Sequence, residues 1–118
     1  MTRPVLALDL DGVIHPNTSP WQNVYTLPDA PTEGAVDFVH YVRASGWSVE
    51  VHTARANAPN ADEAVRVWLR DWGFPEMRVS HVKRNASVYL DDRAMRFNGL
   101  WPTLTQLEAA GVPWNRTA

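Results

Sequence analysis

The first residues that could do chemistry are two aspartates in the sequence Asp9-Leu10-Asp11-Gly12. Side chains two residues apart on an extended chain point to the same side, so these two carboxylates would share one surface. A carboxylate at the end of a buried segment is costly unless it is solvated, paired or bound to a metal ion. The pair is compatible with a catalytic site, and also with a polar strand end that turns at Gly12.

Asp91 and Asp92 form a second acidic pair. Adjacent like charges repel each other, so this pair favours a bound cation. Oxygen ligands without Cys or His at metal-ligand spacing favour Mg²⁺. The alternative is an acidic helix start, with Asp91 as the cap and Arg93 nearby.

Thr53 and Lys83 add a hydroxyl and an ammonium group. Thr53 follows the segment Trp47–His52, where a hydroxyl and free amides could hold an anion. Thr53 could equally belong to an ordinary turn. Lys83 is the single lysine among 11 basic residues. That position could require a compact charge rather than a planar guanidinium, although chance would also leave one lysine.

The four histidines show no metal-ligand spacing. His15 is the only one close to the acidic residues. His40 lies in a predicted helix and His52 on the polar side of a predicted strand, so we expect both to be structural.

Strands and helices alternate along the chain and would position these groups. The pattern predicts four strands, Val5–Leu10, Trp47–His52, Met77–Ser80 and Ser87–Leu90, and three helices, 32–45, 60–72 and Thr103–Ala110. Such alternation favours an α/β fold: a three-layer, Rossmann-like parallel sheet with helices on both faces. Ligands bind such sheets beyond the carboxyl ends of the strands, where most of the groups above are predicted to lie.

Local signals mark the ends of these helices. Thr32 is predicted to cap the first helix, and Asn60 with Glu63 resembles a capping box for the second. Glycines that suit the left-handed position after a helix follow each of the three: Gly46, Gly73 and Gly111. The proline-rich segment 15–31 is predicted to be a long loop, which is typical of functional or mobile segments.

Composition indicates one globular domain over residues 1–118. The chain is 45% hydrophobic and 20% charged, enough to bury a single core. The absence of cysteine excludes disulfides, thiolate metal sites and a cysteine nucleophile. A net charge of −2 argues against a general nucleic-acid binder. Without a membrane-spanning segment or a signal peptide, we expect a cytoplasmic protein that does not associate with membranes.

The four motifs together are more specific than any one of them. In chain order they are LALDLDGV, VEVHTAR, HVK and VYLDDRA. This series resembles the haloacid dehalogenase (HAD) superfamily of phosphotransferases over roughly residues 5–101. The segments HTAR and YLDDRA resemble its small phosphatases, including deoxyribonucleotidase-like and polynucleotide-phosphatase-like members. The resemblance implies a HAD-like hydrolase domain that uses Mg²⁺ on a phosphorylated substrate, either a small molecule such as a nucleotide or a nucleic-acid end.

The resemblance also implies roles for the aspartates. Asp9 would attack phosphorus and become an aspartyl-phosphate, which splits one hard step into two. Asp11 would be the general acid to the leaving oxygen and then the base for water. Asp9, the main-chain carbonyl of Asp11, and Asp92 would bind the metal directly, with Asp91 behind them or bound through water.

The remaining motif residues would bind the phosphoryl group. By the same resemblance, Thr53 and the amide of Ala54 would hold its oxygens, and Lys83 would neutralise charge on it and on the nucleophile. Arg55 lies next to this motif and could meet further phosphates.

Many members of the superfamily insert a cap domain after the first or second motif, and neither interval here could house one. The site should therefore be open and sheltered only by the loop 15–31, whose Trp21 and Tyr25 could stack on a base or pack under the loop.

Two other functions stay open. A catalytically weak relative would bind a phosphorylated ligand or a partner without turnover. A phosphomutase or phosphonatase is less compatible, because these enzymes normally need a cap to exclude water. A homodimer could form through the loop and tryptophans such as Trp101 and Trp114, although each could pack on its own domain.

Overall fold

The structure is a computed structural model that describes residues 3–110. Its elements in chain order are β1 (Val5–Asp9), α1 (Ala35–Ala44), β2 (Ser48–His52), a short 3-10 helix (Ala54–Asn57), α2 (Ala61–Asp71), β3 (Val79–Ser80), β4 (Val88–Leu90) and α3 (Leu104–Ala110). All four predicted strands and all three predicted helices are present. The 3-10 helix, which directly follows Thr53 after β2, was not predicted.

The four strands form one parallel sheet in the order β3-β2-β1-β4. The α/β class with a parallel sheet is therefore confirmed, and the layout is compatible with a Rossmann-like fold. The central strand β1 pairs with β2 from Val5↔Ser48 to Asp9↔His52, and with β4 from Leu6↔Val88 to Leu8↔Leu90. Asp9 therefore ends one of the two inner strands, with a neighbouring strand on each side.

The hydrophobic core lies on the side of the sheet that carries Leu6 and Leu8. It joins these leucines to Val39 of α1 and to Val65 and Trp68 of α2. The crossovers β1–α1–β2 and β2–α2–β3 run in one direction across the sheet, and right-handed crossovers place both helices on the same face. A helix layer on the opposite face stays a prediction.

The opposite face is more polar and is crossed by the connection between β3 and β4. His52 of β2 donates from Nε2 to the carbonyl of His81 at 3.0 Å, and Arg84 lies 3.9 Å from Glu50. The structural role expected for His52 agrees with this hydrogen bond. His40 agrees in the same way, since it donates to the Gly73 carbonyl at 2.9 Å.

The predicted N-cap of α1 is wrong, and the predicted N-cap of α2 has the correct position but makes no capping hydrogen bond. The residue before α1 is Gly34, and the hydroxyl of Thr32 instead donates to the carbonyl of Val13 at 2.5 Å. Asn60 precedes α2 in the left-handed conformation and its side chain makes no capping bond, while Glu63 pairs with Arg66. In each case the side chain of the predicted cap does not bond to a free amide of its own helix.

The predicted C-terminal ends of the first two helices are confirmed. Gly46 and Gly73 adopt the left-handed conformation just after α1 and α2, with φ of 97° and 90°. Gly111 and Trp114 lie outside the described residues. Trp101 is 87% exposed and contacts Phe97, with ring centroids 4.9 Å apart. The homodimer stays a prediction.

No helix within residues 3–110 is long and apolar enough to cross a membrane.

Candidate functional site

An acidic cluster lies at the carboxyl end of the two adjacent strands β1 and β4. Asp9 is the last residue of β1, and Asp91 and Asp92 directly follow β4. One carboxylate oxygen from each lies within 4.8 Å of the others. Parallel pairing of these strands brings together groups that are some 80 positions apart in the chain. Two motifs predicted separately from the sequence thus form one site.

Asp9 is the unusual acid of this cluster. Its side chain is half-buried, and burial together with the negative charge of Asp91 and a hydrogen bond shared with Asp92 raises the pKa of Asp9 to about 7. Three carboxylates this close cannot all be ionised without a counter-charge. The cluster is therefore suited to take up either a proton or a cation near neutral pH.

This pKa predicts how stability depends on pH. The folded state holds a proton on Asp9 that the unfolded state releases from about pH 4, so the free energy of unfolding should fall as pH rises from 4 to 7. Because Asp9 is only half-buried, solvent screening reduces the loss to about 1–2 kcal/mol. Mg²⁺ should restore the lost stability at pH 8 and have little effect at pH 5, because it competes with the proton for the Asp9 carboxylate.

Urea unfolding in chelator, with and without Mg²⁺, measures this effect. Asp9→Asn is the control, because it keeps the shape of the side chain and cannot ionise. Without metal, Asp9→Asn should have a higher free energy of unfolding than the natural chain, and this difference should be larger at pH 8 than at pH 5. An equal gap at both pH values would contradict a raised pKa at Asp9.

Gly12 allows the close approach between the first motif and the last. The chain turns sharply after β1: the His15 amide donates to the Leu10 carbonyl at 2.9 Å, and the Gly12 amide donates to the His15 carbonyl at 2.7 Å. Gly12 has φ of +90°, and a Cβ there would lie 2.0 Å from Oδ2 of Asp92. Only glycine satisfies both the turn and this contact.

The donor set of the cluster fits a hard divalent cation. All three donors are carboxylate oxygens, which suits Mg²⁺ or Ca²⁺ better than a metal that prefers nitrogen or sulfur. The unrelieved repulsion at Asp9 is a second sign, since a cation would remove it. The Asp11 side chain points elsewhere, and the expected use of its main-chain carbonyl as a ligand stays a prediction.

Asp11 is held by two basic side chains. Arg55 donates from Nε to Oδ2 at 2.7 Å and from Nη2 to Oδ1 at 3.0 Å, and His15 Nδ1 lies 3.0 Å from Oδ1. Both Asp11 oxygens thus accept N–H donors, which is the bonding pattern of a carboxylate. His15, noted from the sequence only for its position near the site, is fully buried and part of it.

Arg55 differs from its prediction. It was expected to meet substrate phosphate, but its side chain is 3% exposed and is directed to Asp11 and to the loop. No sequence pattern indicates this arrangement, because a motif arginine at a strand end suits an exposed anion site equally well.

Thr53 and Ala54 lie where the sequence placed them, just past the end of β2. Thr53 is buried and follows His52, which is paired with Asp9. Its amide donates to the Ser80 carbonyl at 2.9 Å, and its Oγ1 accepts from the Arg55 amide at 3.2 Å. The hydroxyl hydrogen stays available to donate to an anion. Ala54 is exposed at the start of the 3-10 helix.

Lys83 is not brought to the carboxylates. Its ammonium group lies over the ring of Tyr89, 4.6 Å from the centroid. Tyr89 is paired with Ala7, two residues before Asp9 on the same face of the sheet. Two residues of a strand span about 7 Å, so Tyr89 is paired well short of the Asp9 position.

The loop 15–31 is built on polar contacts that the sequence did not reveal. Asp29 accepts hydrogen bonds from the amides of Thr18 and Ser19 and from the Ser19 hydroxyl. The Asp29 amide donates to His15 Nε2 at 3.3 Å, and Trp68 donates to the Asp29 carbonyl at 3.2 Å. Asp29 therefore ties the loop to the core, although no local motif marks it.

The two loop aromatics are exposed rather than packed under the loop. Trp21 is 58% exposed, with its ring 4.5 Å from the Arg55 guanidinium carbon. The Tyr25 hydroxyl donates to the Pro59 carbonyl at 2.9 Å. Both residues therefore link the loop to the segment that follows β2.

Comparison with known proteins identifies no relative of this chain. No protein-family model matches the chain, and no curated protein or solved structure does so either. The likeness to the HAD superfamily therefore rests on the four sequence motifs.

Proposed function

We propose that this protein is a Mg²⁺-dependent phosphomonoester hydrolase that acts through an aspartyl-phosphate on Asp9. The observation that carries the proposal is the convergence of Asp9, Asp91 and Asp92, within 4.8 Å of one another, at the carboxyl end of a parallel sheet. The motif order supports it, because the same residues fill the acidic positions of HAD-type phosphatases.

The reaction would proceed in two displacements. A carboxylate oxygen of Asp9 attacks phosphorus, the bond from phosphorus to the ester oxygen breaks, and the alcohol leaves with a proton from the Asp11 carboxyl group. Water then attacks the same phosphorus, gives its proton to Asp11, and releases inorganic phosphate while the Asp9 carboxylate is restored. Atoms and charge balance without a redox partner.

Asp11 suits the second displacement especially well. Its oxygens accept hydrogen bonds from Arg55 and His15, so the carboxylate that would take a proton from water is held in one orientation. Protonating a leaving alcohol requires Asp11 to receive that proton first. Substrates whose leaving group does not need a proton should therefore be hydrolysed fastest.

Thr53, Ala54 and Lys83 would bind the transferred phosphoryl group. Thr53 directly follows His52, the residue paired with Asp9 in the sheet, and Ala54 is the next residue along the chain. Lys83 would leave Tyr89 and extend towards Asp9 when an anionic substrate is present, supplying charge neutralisation.

Mg²⁺ would be held by Asp9 and Asp92, with Asp91 adjacent, and would neutralise charge on the carboxylates and the phosphoryl oxygens. This role agrees with the oxygen-only donor set.

The proposed activity also has consequences for the fold around the site. We propose a three-layer HAD-like domain without a cap, so that the site is open and shielded by the loop 15–31. An open site suits a nucleotide or the phosphorylated end of a nucleic acid. We also propose that the protein works in the cytoplasm.

Phosphate release across a substrate panel tests the proposal. The panel contains nucleotides, oligonucleotides with 3′- or 5′-phosphates, sugar phosphates and p-nitrophenyl phosphate, each with Mg²⁺ or with chelator. Release that requires Mg²⁺ is expected, and the ranking would give the substrate class. Release that is equal in chelator would contradict the proposed chemistry.

One observation favours the second candidate, a module that binds a phosphorylated ligand without turnover. Lys83 rests on Tyr89 instead of facing the carboxylates. Binding of phosphate esters in Mg²⁺ by calorimetry, with no release from any member of the panel, would favour that function.

A further inference from the structure

Arg55 is a buried cation whose hydrogen bonds all lie inside the protein. Its guanidinium has five N–H donors fixed in one plane. Nε and Nη2 form a two-point contact with Asp11, at 2.7 and 3.0 Å. Such a paired contact fixes both the position and the plane of the carboxylate. Arg55 therefore determines where the Asp11 oxygens lie.

The same guanidinium holds the loop. Nη1 lies within hydrogen-bond distance of three loop carbonyls, those of Asn23, Val24 and Thr26, at 3.0, 3.1 and 3.0 Å. The Trp21 ring covers its face. Moving this part of the loop would break the contacts between Nη1 and the three carbonyls, and a buried charge that loses its partners is costly.

We infer that Arg55 is a positioning residue that clamps the segment 21–26 across the site and fixes Asp11 at the same time. It is not a contact for substrate phosphate. This inference rests on the proposed function in one respect, namely that Asp11 is the acid and base. His15 braces Asp11 from the other side at 3.0 Å and is itself tied to the loop at Asp29. Order in the loop and the position of Asp11 are thus coupled.

Kinetics distinguish positioning from substrate binding. With p-nitrophenyl phosphate and Mg²⁺, Arg55→Met should lower kcat about 10²-fold, because a catalytic group misplaced by an ångström costs that much. KM should change less than about threefold, since no substrate contact is lost. Arg55→Lys keeps the charge but not the planar guanidinium, so its kcat should lie between that of the natural chain and that of Arg55→Met. A KM about tenfold higher with kcat unchanged would show that Arg55 binds substrate instead.

Limited chymotrypsin digestion tests the clamp without any activity. The cleavage sites of interest are Trp21 and Tyr25, identified by fragment mass. Arg55→Met should be cut there faster than the natural chain, and Arg55→Lys at an intermediate rate. The control is Arg70→Met, which removes an arginine that is 73% exposed on α2.

The two measurements also separate failure of the inference from failure of the proposed function. If no substrate is hydrolysed, the proposed function fails, and the cleavage rates still test the clamp. If Arg55→Met does not fold, as judged by circular dichroism, Arg55→Lys provides the comparison. Loop cleavage in Arg55→Lys at the natural rate, with natural kcat, would overturn the inference.

Discussion

Asp9→Asn should lose phosphate release by about 10⁴-fold or more, because the nucleophile is gone while the rest of the site stays in place. Asparagine matches the shape of aspartate and removes only the attacking oxygen and its charge. The variant should also be more stable than the natural chain at pH 8 without metal, since it removes repulsion among three carboxylates. A loss of activity combined with a gain in stability cannot come from misfolding.

Phosphate release and urea unfolding on the same preparations measure both effects. Asp37→Asn is the matched control, because it makes the same change at an exposed carboxylate in the first turn of α1. It should leave both quantities near those of the natural chain. Hydrolysis of p-nitrophenyl phosphate by Asp9→Asn at the natural rate would exclude Asp9 as nucleophile.

Gly12→Ala should damage the site more than its small size suggests. At φ of +90° an alanine pays the left-handed penalty of about 1–2 kcal/mol. Its methyl group would also lie 2.0 Å from the Asp92 carboxylate oxygen, so Asp92 must move. Displacing one of three clustered carboxylates should weaken Mg²⁺ binding and lower phosphate release by about 10²-fold.

Gly46→Ala separates these two causes. Gly46 has φ of +97°, and a Cβ there meets nothing within 4 Å. Both variants should lose similar stability without metal, but only Gly12→Ala should lose the stabilisation that Mg²⁺ gives at pH 8. If Mg²⁺ stabilises both variants equally, Asp92 is not a ligand.

The positions of the strands could be predicted because short apolar segments between turn residues are a local signal. β1 and β4 end next to their acidic residues, as the sequence indicated. Alternation with helices predicts the parallel sheet, and β4, which follows β3 without a helix between them, pairs with the other side of β1 and brings Asp9 beside Asp91 and Asp92. This part of the site needed only local pattern and topology.

What the sequence did not reveal depends on contacts between distant segments. Thr32 looked like a cap, but its hydroxyl is used by the carbonyl of Val13 in the turn after β1. Arg55 looked like an anion contact, but its partners lie on Asp11 and in the loop about thirty positions earlier. Lys83 matched its motif in order, yet its ammonium group rests on Tyr89. No local pattern shows which of several possible partners a polar side chain takes.

Detection of the covalent intermediate tests the central claim most directly. Protein turning over p-nitrophenyl phosphate in Mg²⁺ is quenched in acid, digested and analysed by mass spectrometry for a phosphorylated peptide. Asp11→Asn is included because loss of the base should slow the second displacement and let the intermediate accumulate. The account predicts phosphate on Asp9, more of it in Asp11→Asn, and none in chelator. Rapid Mg²⁺-dependent turnover with Asp9 unmodified in both proteins, or with phosphate on another residue, would contradict it.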